Sequence, residues 1–102
     1  MTAEDLALQL EAAECPVVID VRSKLEYRSG HIPGALHVPF WGALLWQASL
    51  PNDKQRTVVL TCEHGPRAQA AAAQLTLLGY SRVVLLQGHM SGWRARGLPV
   101  SR

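Results

Sequence analysis

Thr57-Val58-Val59-Leu60-Thr61 runs into Cys62-Glu63-His64-Gly65-Pro66-Arg67, and an Ala-rich stretch reading as helix from about 68 to 78 follows. A strand entering a helix through a short polar turn is where α/β proteins gather anions. The consecutive backbone N–H groups of the turn and the unpaired donors of the helix start form a concave patch of positive partial charge. A sulfur at the centre of that patch is expected to be held as thiolate, and the same field favours an anionic sulfur or phosphorus group brought to it.

The chain around this segment has 102 residues, 48% hydrophobic and 18% charged, which suits one modest core and points to a single domain over 1–102. A net charge of +2, with Arg22, Arg28, Arg56, Arg82, Arg94 and Arg96 scattered along the chain, leaves no basic stripe, so nucleic acid is not an expected partner. The first residues, Met1-Thr2-Ala3-Glu4-Asp5-Leu6, are acidic and amphipathic, unlike the basic and then apolar start of a secretory signal. No apolar run approaches membrane-spanning length. These features predict a cytoplasmic setting with no membrane partner. There Cys15 and Cys62 stay reduced, and Cys15 packs as a small apolar residue. The four histidines and two cysteines lack zinc-ligand spacing, and no metal site is expected.

Strands and helices alternate outward from this segment. Thr2 is placed to cap a helix carrying Leu6, Leu8, Leu10 and Ala13 on or near one face, which Pro16 ends. Val17-Val18-Ile19-Asp20-Val21 has no polar alternation, as expected of a parallel strand covered on both faces. Ser23 caps a short helix through Leu25, Glu26 and Tyr27 that Gly30 stops. A brief strand at 35–38, an apolar segment at 40–50 and a turn at 51–54 come next. After the helix at 68–78, Gly79-Tyr80 is a stop, with a strand at 83–86 and a last helix around 90–96 beyond it. The pattern predicts an α/β fold, a small parallel sheet with helices on both faces.

Four motifs in this order carry a resemblance to a known family: Asp20-Val21-Arg22 with Glu26-Tyr27, Gly30-His31-Ile32-Pro33-Gly34-Ala35, Cys62 through Arg67, and Gly79-Tyr80 followed by Leu86-Gln87-Gly88 and Trp93. Over roughly residues 5–100 the chain resembles a rhodanese domain. The resemblance implies a sulfurtransferase. In such a protein Cys62 takes a sulfane sulfur from a donor such as thiosulfate, becomes a persulfide, and passes the sulfur to cyanide or a thiol, in some cases on a protein acceptor. It implies no metal or organic cofactor. Cys62 is then the catalytic nucleophile, and Glu63, His64, Gly65, Pro66, Arg67 and Ala68 line the substrate site.

The side chains bear on those roles individually. Gly65 suits a tight turn that brings amides close to a bound anion, and equally an ordinary turn. Arg67 either neutralises an incoming oxyanion or braces the loop. Glu63 and His64 are expected at the pocket mouth, selecting substrates by charge; His64 either stays solvated or protonates a leaving group. Pro66 removes one N–H from the cradle. Ala68 stands where many members carry a hydroxyl, and His89 where a second glycine is common, its ring either approaching the loop or, as expected, facing solvent. Asp20 and Arg22 are expected to pair with neighbours such as Glu26 and fix the crossover, and His31 to serve backbone groups. Trp93 is expected to plug the last helix against the sheet, while Trp41 and Trp46 read either as core or as a partner-facing patch.

Two other functions compete with this reading. Related phosphatase and arsenate reductase loops hold one more residue between Cys and Arg, whereas four separate Cys62 from Arg67, a ring suited to sulfur. A non-enzymatic binding or sulfur-carrier module acting through a protein partner is the second alternative; such modules usually lack the cysteine.

Overall fold

The computed structural model describes residues 1–12, 15–42 and 50–102. In chain order its elements are α1 (Ala3–Gln9), β1 (Val17–Asp20), α2 (Lys24–Ser29), β2 (Leu36–His37), β3 (Val58–Thr61), α3 (Pro66–Leu77), β4 (Val83–Leu85) and α4 (His89–Ala95). The four strands form one parallel sheet in the order β2-β1-β3-β4. β1 and β3 pair at the centre, Val17 opposite Val58 and Asp20 opposite Thr61.

The unbroken apolar runs of the central strands have the expected cause. Alternate residues point to opposite faces, and both faces are covered. Ile19, Val21, Val58, Leu60 and Cys62 pack with Ala68, Ala71 and Leu75 of α3 on one side. Val18 and Val59 pack with Leu6 of α1 and with Met90 and Trp93 of α4 on the other. Small alanines on α3 let that helix lie close to the sheet. Trp93 is buried as expected, and its indole N–H donates to the Pro99 carbonyl at 2.8 Å.

Capping residues define the helix starts. The Thr2 hydroxyl accepts from the Asp5 N–H at 3.0 Å, and Ser23 and Glu26 form a reciprocal capping box on α2. Several expected boundaries move. α1 stops at Gln9, and its Leu8 is exposed, off the buried face formed by Ala3 and Leu6. α3 begins at Pro66, two residues before the expected 68, because proline's fixed φ suits the first helical position, where its missing N–H has no intrahelical acceptor to lose. α4 starts at His89, one residue early. Ala13 and the 43–49 part of the expected apolar segment, Trp46 included, lie outside the described residues. Trp41 is exposed. Among the described residues no helix is long and apolar enough to cross a membrane.

Leu75 and Leu77 of α3 test the orientation of that helix. Leu75 is 2% exposed and Leu77 87% exposed. Leu75→Ala is expected to lower unfolding free energy by about 2–5 kcal/mol. Leu77→Ala is expected to change it by less than about 0.5 kcal/mol in urea titrations.

Candidate active site

The chain passes from β1 outward to β2 on one side, and from β3 to β4 on the other. Strand order therefore reverses between β1 and β3, and the crevice beyond their C-terminal ends is where open parallel sheets place ligands. Asp20 and Arg22 stand at the end of β1, and Cys62 follows β3 directly.

The 62–67 loop wraps around the thiol. The Gly65 N–H donates to Cys62 Sγ at 2.9 Å, and the Cys62 N–H donates to Nδ1 of His89 at 3.3 Å. The carbonyls of Cys62 and Glu63 accept from the N–H groups of Met90 and Ser91, which docks the loop on the start of α4. At the start of α3 the N–H groups of Arg67 and Ala68 have no intrahelical acceptor, so they add to the same positive patch. Gly65 has φ +132°, a conformation that residues with a Cβ rarely adopt, and a Cβ there would stand 3.2 Å from His89 Nε2. The backbone conformation favours glycine, and the close imidazole adds to that preference.

Charged side chains hold the loop from outside. Arg22 and Asp20 are both buried. Asp20 accepts from Nε of Arg22 at 3.0 and 3.1 Å and from Nη2 at 2.8 Å, and the same Nη2 donates to the Gly30 carbonyl at 2.6 Å. Burial works against the Arg22 charge, and the Asp20 hydrogen bonds together with the negative charges of Asp20, Glu63 and Glu26 more than offset it, so the guanidinium pKa rises. Arg22 also reaches Glu63 at 3.3 Å, and Arg94 of α4 binds the same carboxylate. Glu63 is held below the ordinary carboxylate range, first by its hydrogen bond from Arg94. Arg22 thus pairs with both Asp20 and Glu63. Glu26 binds Arg67 instead, because α2 carries it to the start of α3.

Arg67 grips both oxygens of Glu26, at 2.6 and 3.0 Å. This fork-on-fork geometry ties α2 to the start of α3. Among the other residues expected to line the site, His64 and Pro66 are exposed, Glu63 is partly covered, and Ala68 is fully buried beside Cys62. Cys62 has no exposed surface. His31 serves the backbone as expected, its Nδ1 donating to the Tyr27 carbonyl at 2.8 Å while its ring stacks on Tyr27 at 3.8 Å. A cavity of about 820 Å³ lies elsewhere, lined by α1 residues, Pro16 and Trp93 and by none of the loop.

His89 departs most from expectation. It is 8% exposed, packed against the loop and not in solvent. The signal available in the sequence was weak: a histidine directly after Gly88, at a turn where a left-handed residue is wanted.

A rhodanese-like domain is what this sheet order, loop and thiol define, and the family model for that domain matches residues 2–96. The chain belongs to the rhodanese-like family, in which relatives are sulfurtransferases. It is 35% identical over 98 residues to a sulfurtransferase of Allochromatium vinosum, covering 96% of this chain and 90% of that one. It is 37% identical over 78 residues to the thiosulfate sulfurtransferase GlpE of Pseudomonas fluorescens, covering 76% and 70%. A rhodanese-related protein from Thermoplasma volcanium superposes with a TM-score of 0.84 at 29% identity, over 99% of this chain and 95% of that one.

The Glu26–Arg67 pair has an acid limit. Hydrogen bonds from Arg67, against the effect of burial and aided by Ser23, lower the Glu26 pKa from 4.5 to about 2. The folded state therefore favours the ionised carboxylate. That contribution is complete above about 4.5 and is lost as pH falls through about 2. Thermal melts of Glu26→Gln are expected to show lower stability than wild type at neutral pH and a shallower loss across this window. Arg67→Lys, which keeps the charge without the fork, is expected to lose nearly as much melting temperature as Arg67→Met.

Proposed function

We propose that this protein is a rhodanese-type sulfurtransferase acting through a persulfide on Cys62. The observation that carries this reading is the Gly65 N–H donating to Sγ at 2.9 Å inside a loop at the end of β3. A donor aimed at the sulfur stabilises it as an anion, and the anion is the nucleophile. Family membership and relatives named as thiosulfate sulfurtransferases support the same chemistry.

In the first half of the cycle the Cys62 thiolate attacks the terminal sulfur of thiosulfate. The new S–S bond forms as the donor's own S–S bond breaks, and sulfite leaves with the electron pair. In the second half, cyanide or a thiolate attacks the outer sulfur. The Cys62 thiolate returns as leaving group, and thiocyanate or a new persulfide departs. Neither half requires a general base once the thiol is ionised, which leaves His64 as a neighbour of the incoming donor. Glu63, Gly65, Pro66, Arg67 and Ala68 are read as shaping the loop, with Arg67 acting through Glu26. Cys62 is fully buried, so a donor reaches Sγ only by displacing loop atoms. Small donors presented end-on suit that constraint better than bulky ones. The physiological acceptor on this reading is a small thiol or a thiol on a protein partner.

The protein treated with thiosulfate is expected to gain about 32 Da at Cys62, with Cys15 unchanged, and to release thiocyanate when cyanide is added. Peptide mass spectrometry locates the added sulfur. Wild-type thiocyanate formation by Cys62→Ser would overturn the assignment. Ready hydrolysis of aryl phosphates would favour phosphoryl chemistry instead, against the tightness of a ring with four residues between Cys62 and Arg67.

A further inference from the structure

His89 is the one residue other than glycine with positive φ among the described residues, at +50°. Histidine enters the left-handed region more readily than most residues, yet it does so at some strain. Here the strained turn comes with an imidazole buried against the loop. Nδ1 accepts the Cys62 N–H, so the ring is neutral and its proton sits on Nε2. That N–H belongs to the residue bearing the thiol. It lies just past the end of β3, where no neighbouring strand takes it.

We propose that His89 is a positioning residue that holds Cys62 through this bond and makes the loop competent only while the imidazole is neutral. A proton on Nδ1 would set donor against donor and release the Cys62 backbone. Burial, and then the nearby His64, lower the His89 pKa below the ordinary 6.5. The neutral ring is therefore the folded state's form, fully favoured above that value and lost as pH falls through the depressed pKa. The other charged or titratable groups around it are the Cys62 thiol, Glu63 and His64 on the loop, Asp20 and Arg22 at the end of β1, Arg94 on α4 and Arg96 just past its end. The carboxylates of Asp20 and Glu63 are already engaged by Arg22 and Arg94.

The consequence for sulfur transfer rests on the persulfide reading above, so the test has two independent readouts. The first is nitrogen and amide-proton NMR of the unmodified protein. The Cys62 amide is expected to titrate together with the His89 ring, at a midpoint below the ordinary histidine range. A Cys62 amide that ignores the His89 titration would overturn the proposal. The second readout is the single-turnover rate of sulfur loading from thiosulfate against pH. The neutral His89 ring then adds one required deprotonation, so the acid limb of wild type is expected to be steeper by about one than that of a variant without the ring. His89→Asn tolerates the same backbone and keeps an acceptor that does not titrate in this range. It is expected to load within about twofold of wild type with that shallower limb. His89→Gly keeps the backbone freedom and removes the acceptor, and is expected to load roughly three- to tenfold more slowly, the equivalent of one net hydrogen bond. Wild-type loading by His89→Gly, or a limb in His89→Asn as steep as wild type, would refute the role. Wild-type protein that takes up no sulfur would overturn the persulfide reading alone, and the amide titration would still decide whether His89 holds Cys62.

Discussion

The guanidinium of Arg22 meets three groups: the carboxylate of Asp20 at the end of β1, the Gly30 carbonyl closing α2, and, 41 residues on, Glu63 of the loop, which Arg94 of α4 also holds. Asp20 and Arg22 are almost wholly excluded from water. Either charge left there alone would cost about 3–5 kcal/mol, several times what an exposed ion pair contributes. The pair is therefore a constraint more than a source of net stability. The third contact of Arg22, to Glu63 at 3.3 Å, then ties the end of β1 to the loop after β3 and borders the crevice between those strands.

The site shows a division of labour. The arginines nearest the loop, Arg22, Arg67 and Arg94, are bound to Asp20, Glu26 and Glu63. What the loop offers a sulfur anion comes from backbone N–H groups, with Gly65 aimed at Sγ and the start of α3 behind it. Side-chain charge shapes the loop and backbone dipoles supply its field. Amides have the advantage that they cannot rotate away or find another partner once the turn is formed, so the field around Sγ stays fixed.

His89 and Gly65 are two halves of one packing solution. Gly65 leaves no Cβ in the space that the imidazole edge occupies, and the imidazole in turn takes the Cys62 N–H. Directly after Gly88 this chain has a side chain under the loop. A titratable group has thereby entered the packing beneath the loop.

Much of this was legible in the amino-acid order. Unbroken Val/Ile/Leu runs dictate parallel strands covered on both faces, since only burial on both sides tolerates no polar alternation. Thr2 and Ser23 announce helix starts, and Cys62 after Thr61 announces a thiol at a strand end, all through contacts within a few residues of each other. Tertiary structure alone decided the long-range partners. Whether Glu26 would meet Arg22 or Arg67 depends on how α2 packs against the start of α3, 41 residues away. Whether His89 would meet water or the Cys62 N–H depends on α4 docking on the loop, 27 residues away. Local sequence specifies which groups need partners. The packing of the sheet and its helices specifies which partners come within hydrogen-bonding distance.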